Sequence, residues 1–462
     1  MFMDEVATTD RESIVPLRNP SHIRQLVVFA RAPQVGHNKT RLIPALGPAA
    51  ATEVYRFLAN RTLESVRQLV AGDRCNALVH FTGGSRAEMQ AAFGEDLDYC
   101  EQQGATLGER LKYAIGLAFS GGARRVVVIG TDCPDLSPRD IAQAFDELHE
   151  HDVVVGPALD GGYYLIGMHA FHPGLFDDID WSTSQVFEQT VQRANALGLK
   201  LHTLRRLSDV DYPEDLLALR NPAPAAHWPI NTTAGRMSIV VPTLNEAEHL
   251  PATLRAIGRP SEGLEVIVVD GGSSDTTVEL AQHHGCQVFT GNRGRARQMN
   301  AGAAIATGEF LLFLHADTIL PQNYRQEVER ILARPVQAGA FPLRIDAQGQ
   351  RLGLRIVEFS VAFRSRFMQM PYGDQALFFR SADFFEQAGY KNMALMEDYE
   401  LMQRTRKRGP IGVAELPVRT SGRRWQKQGL VKTTLINQLC VLAFRLGYSD
   451  ATIARLYKGR DQ

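Results

Sequence analysis

Three observations predict an α/β chain of two tandem domains, each on a parallel sheet. Short, fully apolar runs alternate with helical stretches along both halves, the pattern of strands covered by helices. Two of those runs end in an acid. Val126–Ile129 leads into Gly130-Thr131-Asp132, and Phe310–Leu314 leads into His315-Ala316-Asp317, 185 residues further on. An Asp there lies at the carboxyl edge of the sheet, where open α/β sheets bind ligands. It suits a divalent cation that bridges to a nucleotide diphosphate. Finally, residues 221–235 (NPAPAAHWPINTTAG) are rich in Pro, Ala and small polar residues and read as an interdomain linker.

The elements follow in order. In the first half, strands are expected over Leu26–Ala30, Ala77–Phe81, Val126–Ile129 and Val153–Val155. Helices are expected over Ala49–Val70, Leu107–Phe119 and Ser184–Leu197. In the second half, strands are expected at Ser238–Val241, Glu265–Val269, Gln287–Phe289 and Phe310–Leu314. The helices between them are expected at Glu246–Ile257, Thr276–His284 and Arg297–Ala306. The tail Leu430–Tyr457 reads as helical, with an apolar side of Leu435, Leu439, Leu442, Ala443 and Leu446. Packing onto its own domain is the favoured reading; peripheral contact with a membrane, implying a lipid acceptor, is the minor one. Residues 1–22 carry Asp4, Glu5, Asp10 and Glu12 with no apolar run, so they read as a loose leader rather than a signal peptide. The organisation is then leader 1–22, first domain 23–220, linker 221–235 and second domain 236–462.

At 462 residues the chain exceeds one core. Its net charge of −1 covers an asymmetry: from Arg236 onward, 29 Lys and Arg face 22 Asp and Glu, about +7. Nucleotide phosphates or an anionic lipid surface suit that excess. No basic stripe interleaves with aromatics, which argues against nucleic acid. The five cysteines are scattered without a CxxC pair, and histidines fall at no ligand spacing. Neither a zinc nor a disulfide framework is expected, and a reducing cytoplasm fits. Cys133, beside Asp132, reads as a small packing residue. No stretch reaches the roughly 18 apolar residues of a membrane span.

In the second half, Val240–Glu246 runs a strand into a turn whose Thr243, Asn245 and Glu246 reach the sheet edge. Asp270 ends the next strand, placed to accept hydrogen bonds from a base or ribose hydroxyl. Gly271 and Gly272 allow close backbone approach, and the helix start at Asp275-Thr276 offers N–H groups. Arg293, Arg295 and Arg297 gather at the next helix N-terminus, a cradle for a diphosphate. Asp317 supplies the metal ligand. Transfer to a hydroxyl needs a general base; Asp398, with Glu397 beside it, is the candidate. Arg423, Arg424 and Trp425 offer cations and an aromatic to the leaving diphosphate or an acceptor. The plainer alternatives are capping by Asp270, Asp275 and Asp317, a first-turn acid pair at Glu397 and Asp398, and packing by Trp425.

The motifs PTLNE, VDGGSSD, GRARQMNAGA, FLHAD, GDQALFFR, MEDYEL and SGRRW together make Met237–Tyr457 resemble a family 2 glycosyltransferase of the GT-A fold. More narrowly, it resembles the radical-SAM/selenodomain-associated transferases linked to arsenosugar biosynthesis. The resemblance implies a nucleotide-sugar donor and Mg²⁺ or Mn²⁺. It makes Asp270 the nucleotide-binding Asp, Asp317 the last acid of the DxD metal motif with His315 replacing the first, and Asp398 the base of the ED motif. The QxxRW motif of polysaccharide synthases is incomplete, with Ser421 where Gln would stand, which argues against processive synthesis.

In the first half, a loop carrying Arg31, Lys39 and Arg41 follows the first strand and can wrap a triphosphate or sugar phosphate. It lacks Walker A spacing. Asp132 is the metal carboxylate. Gly161 and Gly162 permit backbone contact with a ligand, and Asp160 can bind a hydroxyl. Trp181 reads as an aromatic platform, and Asp209 and Asp211 close the domain with more carboxylates. The plainer readings are a solvated loop for Lys39 and Arg41, and turn chemistry before Pro213 for Asp209 and Asp211. Arg24–Leu219 resembles the selenodomain-associated transferase group often fused to the preceding one. That group looks like GT-A nucleotidyltransferases, including the molybdenum-cofactor and phospholactate guanylyltransferases. The resemblance implies that Asp132 and Asp211, the latter before Tyr-Pro-Glu-Asp-Leu, hold Mg²⁺ against phosphates. The opening loop departs from sugar nucleotidyltransferases in lacking their glycine-rich start.

The expectation is a bifunctional cytoplasmic enzyme with two GT-A-like domains in tandem. The second is an inverting glycosyltransferase; the first makes the activated donor or is itself a glycosyltransferase. Fusion would raise the local donor concentration. The alternatives are a single glycosyltransferase with a non-catalytic first domain, or one acting on a lipid acceptor at a membrane surface.

Overall fold

The computed structural model describes residues 23–220, 230–346, 351–422 and 429–458. The leader, residues 221–229 of the expected linker, and the Arg423-Arg424-Trp425 motif lie outside the described residues. The chain divides into two compact units, Met1–Asp211 and Tyr212–Gln462.

The first unit holds β1 (Arg24–Arg31), β2 (Asn76–Thr82), β3 (Asp98–Glu101), β4 (Arg125–Ile129), β5 (Val153–Pro157), β6 (Tyr163–Met168) and β7 (Leu201–Thr203). They form one sheet in the order β3-β2-β1-β4-β6-β5-β7. Helices Pro48–Ala71, Leu107–Ser120, Pro138–Glu147 and Val186–Ala196 lie within two residues of expectation where one was made. Val27, Val127, Val153 and Val154 are fully buried, as strands covered on both faces must be. The sheet is mixed, which corrects the all-parallel expectation. β6 runs antiparallel to both β4 and β5, because residues 158–162 are too short a link for a parallel crossover.

The second unit repeats this plan. It holds β8 (Thr233–Thr243), β9 (Leu264–Asp270), β10 (Gln287–Thr290), β11 (Gly308–Phe313), β12 (Thr318–Ile319), β13 (Ala338–Ala340), β14 (Leu343–Asp346), β15 (Phe378–Arg380), β16 (Ile411–Val413) and β17 (Val418–Ser421). The main sheet is ordered β10-β9-β8-β11-β15-β13-β16, and β12-β17-β14 form a small second sheet. β15 is again the antiparallel member, set against β11 and β13. In both units the fourth strand lies beside the first, so its carboxyl end opens next to theirs. That is where Asp132 and Asp317 emerge.

Three details depart from the sequence reading. β8 starts at Thr233, inside the expected linker. The helix expected from Glu246 starts at Leu250, because Asn245 is left-handed (φ 55) and residues up to His249 form a turn. Residues Pro213–Arg220 form a short helix within the second unit. There Arg220 donates to the carbonyls of Ala303, Ala304 and Ala306 at 3.3, 3.0 and 2.8 Å, the end of helix Arg295–Ile305. A cation is the favoured group at a helix C-terminus, where carbonyls lack intrahelical partners.

The tail is helical as expected, over Leu430–Arg445 and Asp450–Lys458. Its apolar side is not packed away, however: Leu435, Leu439, Leu442 and Leu446 are exposed. Among the described residues, no helix is long and apolar enough to cross a membrane.

Candidate active sites

In the second unit Asp270 is 1 % exposed, and its carboxylate is committed to its own turn. It accepts from Gly272 N–H at 2.9 Å, Ser273 N–H at 2.7 Å and Thr243 Oγ1 at 3.1 Å. It therefore shapes the loop under a ligand rather than standing open to one, which corrects the expectation of a free acceptor. Asp275 likewise serves the fold, accepting from the N–H groups of Thr277 and Ala247. Asn245 Oδ1 accepts from Ser274 N–H at 2.8 Å, and the Glu246 N–H donates to Thr277 Oγ1 at 2.9 Å. Thr243, Asn245 and Glu246 thus tie the first loop to the second.

The three arginines split. Arg293 is exposed, and Arg297 donates to Asn392 Oδ1 at 3.1 Å. Arg295 instead pairs with the buried Glu397. Burial opposes the charge on Arg295, but Glu397 and then Asp398 overcome it and raise its pKa. Glu397 is therefore a counter-ion, leaving Asp398 as the base candidate. Asp398 lies in the first turn of helix Glu397–Arg408, whose N-cap, Met396, is held left-handed at φ 73; such strain concentrates at functional sites. Its carboxylate accepts from the N–H groups of Gly373 and Tyr399, both at 2.7 Å.

Gly373 sets the spacing here. A Cβ on it would meet Asp398 Oδ2 at 3.2 Å and His315 Nε2 at 3.3 Å, so Asp398 and His315 flank one backbone point. Burial, and then Arg295, lower the His315 pKa to about 4. Its imidazole is neutral at pH 7, as a metal ligand must be. The Asp317 carboxylate, two residues on, is an oxygen donor of the kind Mn²⁺ and Mg²⁺ take. Ser421 N–H donates to the Asp317 carbonyl at 3.3 Å, holding β17 against the site.

The acid of the GDQ motif has no role assigned by the sequence pattern. Asp374 Oδ1 is buried with no hydrogen-bond partner. Burial raises the Asp374 pKa to about 6; Arg364 opposes this and Asp398 reinforces it. Gln375 anchors the loop: fully buried, it accepts from Ser365 Oγ at 2.9 Å and donates to the Phe341 carbonyl at 2.9 Å. The signal in the sequence was a polar triplet next to an apolar strand.

In the first unit the expected metal acids do converge, around a cation from the chain itself. Lys39 Nζ lies 2.6 Å from Asp132 Oδ1 and 3.3 Å from Asp211 Oδ1, with its side chain only 5 % exposed. Arg41 pairs with Asp211 Oδ2 at 2.6 Å. Val210 N–H donates to the Asp132 carbonyl at 3.0 Å, which brings the late acid to the sheet edge. Burial opposes the Lys39 charge, but the two carboxylates outweigh it and raise its pKa. Two carboxylates already bracketing one cation form a donor set that fits Mg²⁺.

The glycine pair and Trp181 depart from the sequence reading, whereas Asp160 and Cys133 agree with it. Gly161 (φ 94) would place a Cβ 2.0 Å from the Ser184 carbonyl oxygen; it is needed for packing rather than for ligand approach. The Gly162 N–H donates to Asp160 Oδ1 at 2.8 Å, an acid that remains exposed. Trp181 stacks on Phe176 and lies against Gly108, so it is core wall, not platform. Arg31 is exposed and held through its backbone by Tyr55. Cys133 is buried, and burial raises its pKa, which fits an inert packing thiol.

Residues 65–183 match the family described as "Uncharacterized protein conserved in bacteria (DUF2064)". Residues 238–387 match "Glycosyl transferase family 2". A solved protein of Desulfovibrio desulfuricans G20, provisionally named a nucleotide-diphospho-sugar transferase, is 31 % identical over 45 % of this chain and 93 % of its own, with a TM-score of 0.42. A DUF2064 region thus precedes a family 2 glycosyl transferase region in this chain. A PGL/p-HBAD biosynthesis glycosyltransferase of Mycobacterium tuberculosis (strain ATCC 25177 / H37Ra) is 40 % identical over 100 residues, 19 % of this chain and 37 % of that protein. The chain thus spans little more than a third of the curated relatives it matches first. The mannosyltransferase PcManGT from Pyrobaculum calidifontis, solved with GDP-Man and Mn²⁺, is 20 % identical over 52 % of this chain and 72 % of its own, with a TM-score of 0.36.

Proposed function

We propose that the second unit transfers a sugar from a nucleotide-sugar to a hydroxyl acceptor with inversion. The carrying observation is the Asp398 carboxylate, oriented by two backbone N–H groups beside His315 and the Arg295–Glu397 pair. Asp398 takes the acceptor's hydroxyl proton. The acceptor oxygen attacks the anomeric carbon from the face opposite the leaving group, and the bond to the diphosphate oxygen breaks. Arg295, with its charge secured by Glu397, stabilises the departing nucleoside diphosphate. His315 and Asp317 would hold Mg²⁺ or Mn²⁺, which supplies Lewis-acid stabilisation of that diphosphate. Thr243, Asn245, Glu246 and Asp270 shape the nucleotide loop, and Arg293 and Arg297 extend the positive rim. Arg424 and Trp425 keep their sequence-based assignment to the diphosphate or acceptor. The arsenosugar association rests on the resemblance alone.

For the first unit the reading is nucleotidyl transfer that makes the donor. Asp132 and Asp211 would hold Mg²⁺, with Lys39, Arg41 and Arg31 on the phosphates. A cytoplasmic setting belongs to this proposal. The test is Asp398→Asn in the full chain with NDP-sugar. Transfer should fall by about 10³-fold or more, with NDP binding unchanged by calorimetry. A fully active variant removes Asp398 from the mechanism.

A further inference from the structure

Two helices of the second unit expose large apolar side chains along one face. On Arg351–Phe367, Ile356, Phe359, Phe363 and Phe367 recur at three- and four-residue spacing and are 50 to 74 % exposed. On and just after Leu430–Arg445, Leu435, Leu439, Leu442 and Leu446 are 41 to 67 % exposed. Scattered single hydrophobes need no explanation, but serial stripes on two helices mark an interaction surface. Both helices reach the surroundings of Asp398. The Arg364 guanidinium lies 3.3 Å from the centre of the Tyr372 ring. Tyr372 packs on Tyr399 at 5.9 Å, and Tyr399 on Phe444 at 5.4 Å. Arg445 Nε donates to the Tyr399 hydroxyl at 2.8 Å.

Charge selects the occupant. Glu358 is the one acid in the sequence of the first helix, and it is used internally, accepting from Ile345 N–H at 2.9 Å. Residues 430–445 contain no acid. Arg355 and Arg366 are exposed on the first helix, and Lys432 on the second. Arg406 donates to the Met368 carbonyl at 2.8 Å, adding a cation at the first helix's end. A second copy would set like charges together, at a cost. Anionic lipid headgroups would pair with them while Phe and Leu side chains enter the acyl boundary.

We propose that these two helices seat the chain on an anionic membrane surface, and that the acceptor is a membrane-borne lipid presenting a hydroxyl to Asp398. The acceptor half rests on the glycosyl-transfer reading above; the surface half does not. The test is flotation of the full chain with phosphatidylcholine vesicles, with or without phosphatidylglycerol, beside a Phe359→Ser/Phe363→Ser/Leu439→Ser variant. The wild type should float with phosphatidylglycerol vesicles and lose binding at high salt, and the variant should bind at least ~10-fold more weakly. Both should release NDP from NDP-sugar alike in lipid-free buffer, by slow transfer of the sugar to water. Absent or equal flotation overturns the surface. A wild-type dimer that becomes monomeric in the variant, without vesicle binding, assigns the face to a second copy and also overturns it. Flotation with no sugar added to bacterial lipid extract, while NDP release persists, overturns the lipid acceptor alone. Failure of NDP release in both proteins strikes the glycosyl-transfer reading and leaves the flotation result standing.

A separate observation lies in the first unit. Glu147 ends helix Pro138–Glu147, His151 follows one turn later, and His202 lies on β7. Glu147 Oε2 is 3.4 Å from His151 Nδ1 and 3.5 Å from His202 Nδ1; His151 Nδ1 also lies 3.1 Å from the Glu147 carbonyl, a contact that metal binding would replace. Ligands about 2.0–2.1 Å from a tetrahedral Zn²⁺ stand roughly 3.4 Å apart. We infer that Glu147, His151 and His202 bind Zn²⁺, tying the helix end to the edge strand. Equilibrium dialysis of the full chain with Zn²⁺ under excess Mg²⁺ tests this, beside His151→Ala/His202→Ala and a His169→Ala control. One Zn²⁺ bound by wild type and control, weakened at least ~10-fold in the double variant, supports the site. Equal binding in all three, or none in the wild type, overturns it.

Discussion

Asp374 sits among Arg364, Arg295 and Asp398 with one oxygen buried and unpartnered. Its pKa of about 6 lies above the ordinary carboxyl value of 3.8, so the folded state binds this proton more firmly than the unfolded one. Its stabilising contribution is present below about pH 4 and is lost as pH rises through about 6. Asp374→Asn, neutral at every pH, should raise stability at pH 7–8 by about 1–3 kcal/mol and change it little at pH 4. Urea unfolding at the two pH values checks this. Lys39 permits a second prediction. Replacing its ammonium by an apolar chain, Lys39→Met, removes the buried cation that Asp132 and Asp211 share and leaves Arg41 on Asp211. Mg²⁺ affinity of the nucleotide-free protein should then rise about tenfold or more by calorimetry. The acids Asp132, Asp211 and Asp398 were legible because each ends or precedes a patterned element. The pairings of Lys39 and Glu397 are not legible in the sequence, since each spans more than 90 residues.

Elements were legible where periodicity spoke. Every strand and helix expected before residue 314 is present, with bounds shifted by a few residues. The antiparallel β6 and β15 and the short strands β12–β14 were not expected, because two- to six-residue strands carry too little pattern and their direction depends on pairing. Residues Pro213–Arg220 show the same limit: the sequence places them with the first domain, whereas Arg220 caps a helix of the second unit. Arg220 is 8 % exposed, and burial lowers its pKa to about 10. Arg220→Ala would leave three helix-end carbonyls without this donor. A loss of about 2–3 kcal/mol is expected, read as a lower thermal midpoint of the second unit.

At the scale of the whole molecule, two units with the same strand plan each carry their own acid cluster. If each cluster serves its own reaction, Asp132→Ala should abolish diphosphate-ester formation from NTP and sugar 1-phosphate while NDP release from supplied NDP-sugar continues. Phosphorus NMR of the full chain reads both; loss of both signals would mean the units do not act separately. The sequence by itself determined the two-domain α/β plan and the acids at its strand ends, because apolar period and turn chemistry are local properties of the chain. Only the tertiary structure decided that Asp270 supports a turn, that Lys39 fills the first acid cluster, that Glu147, His151 and His202 meet, and that the leucines of the tail face outward. Each of those depends on which distant residues share a neighbourhood and on which surfaces remain uncovered, and sequence spacing encodes neither.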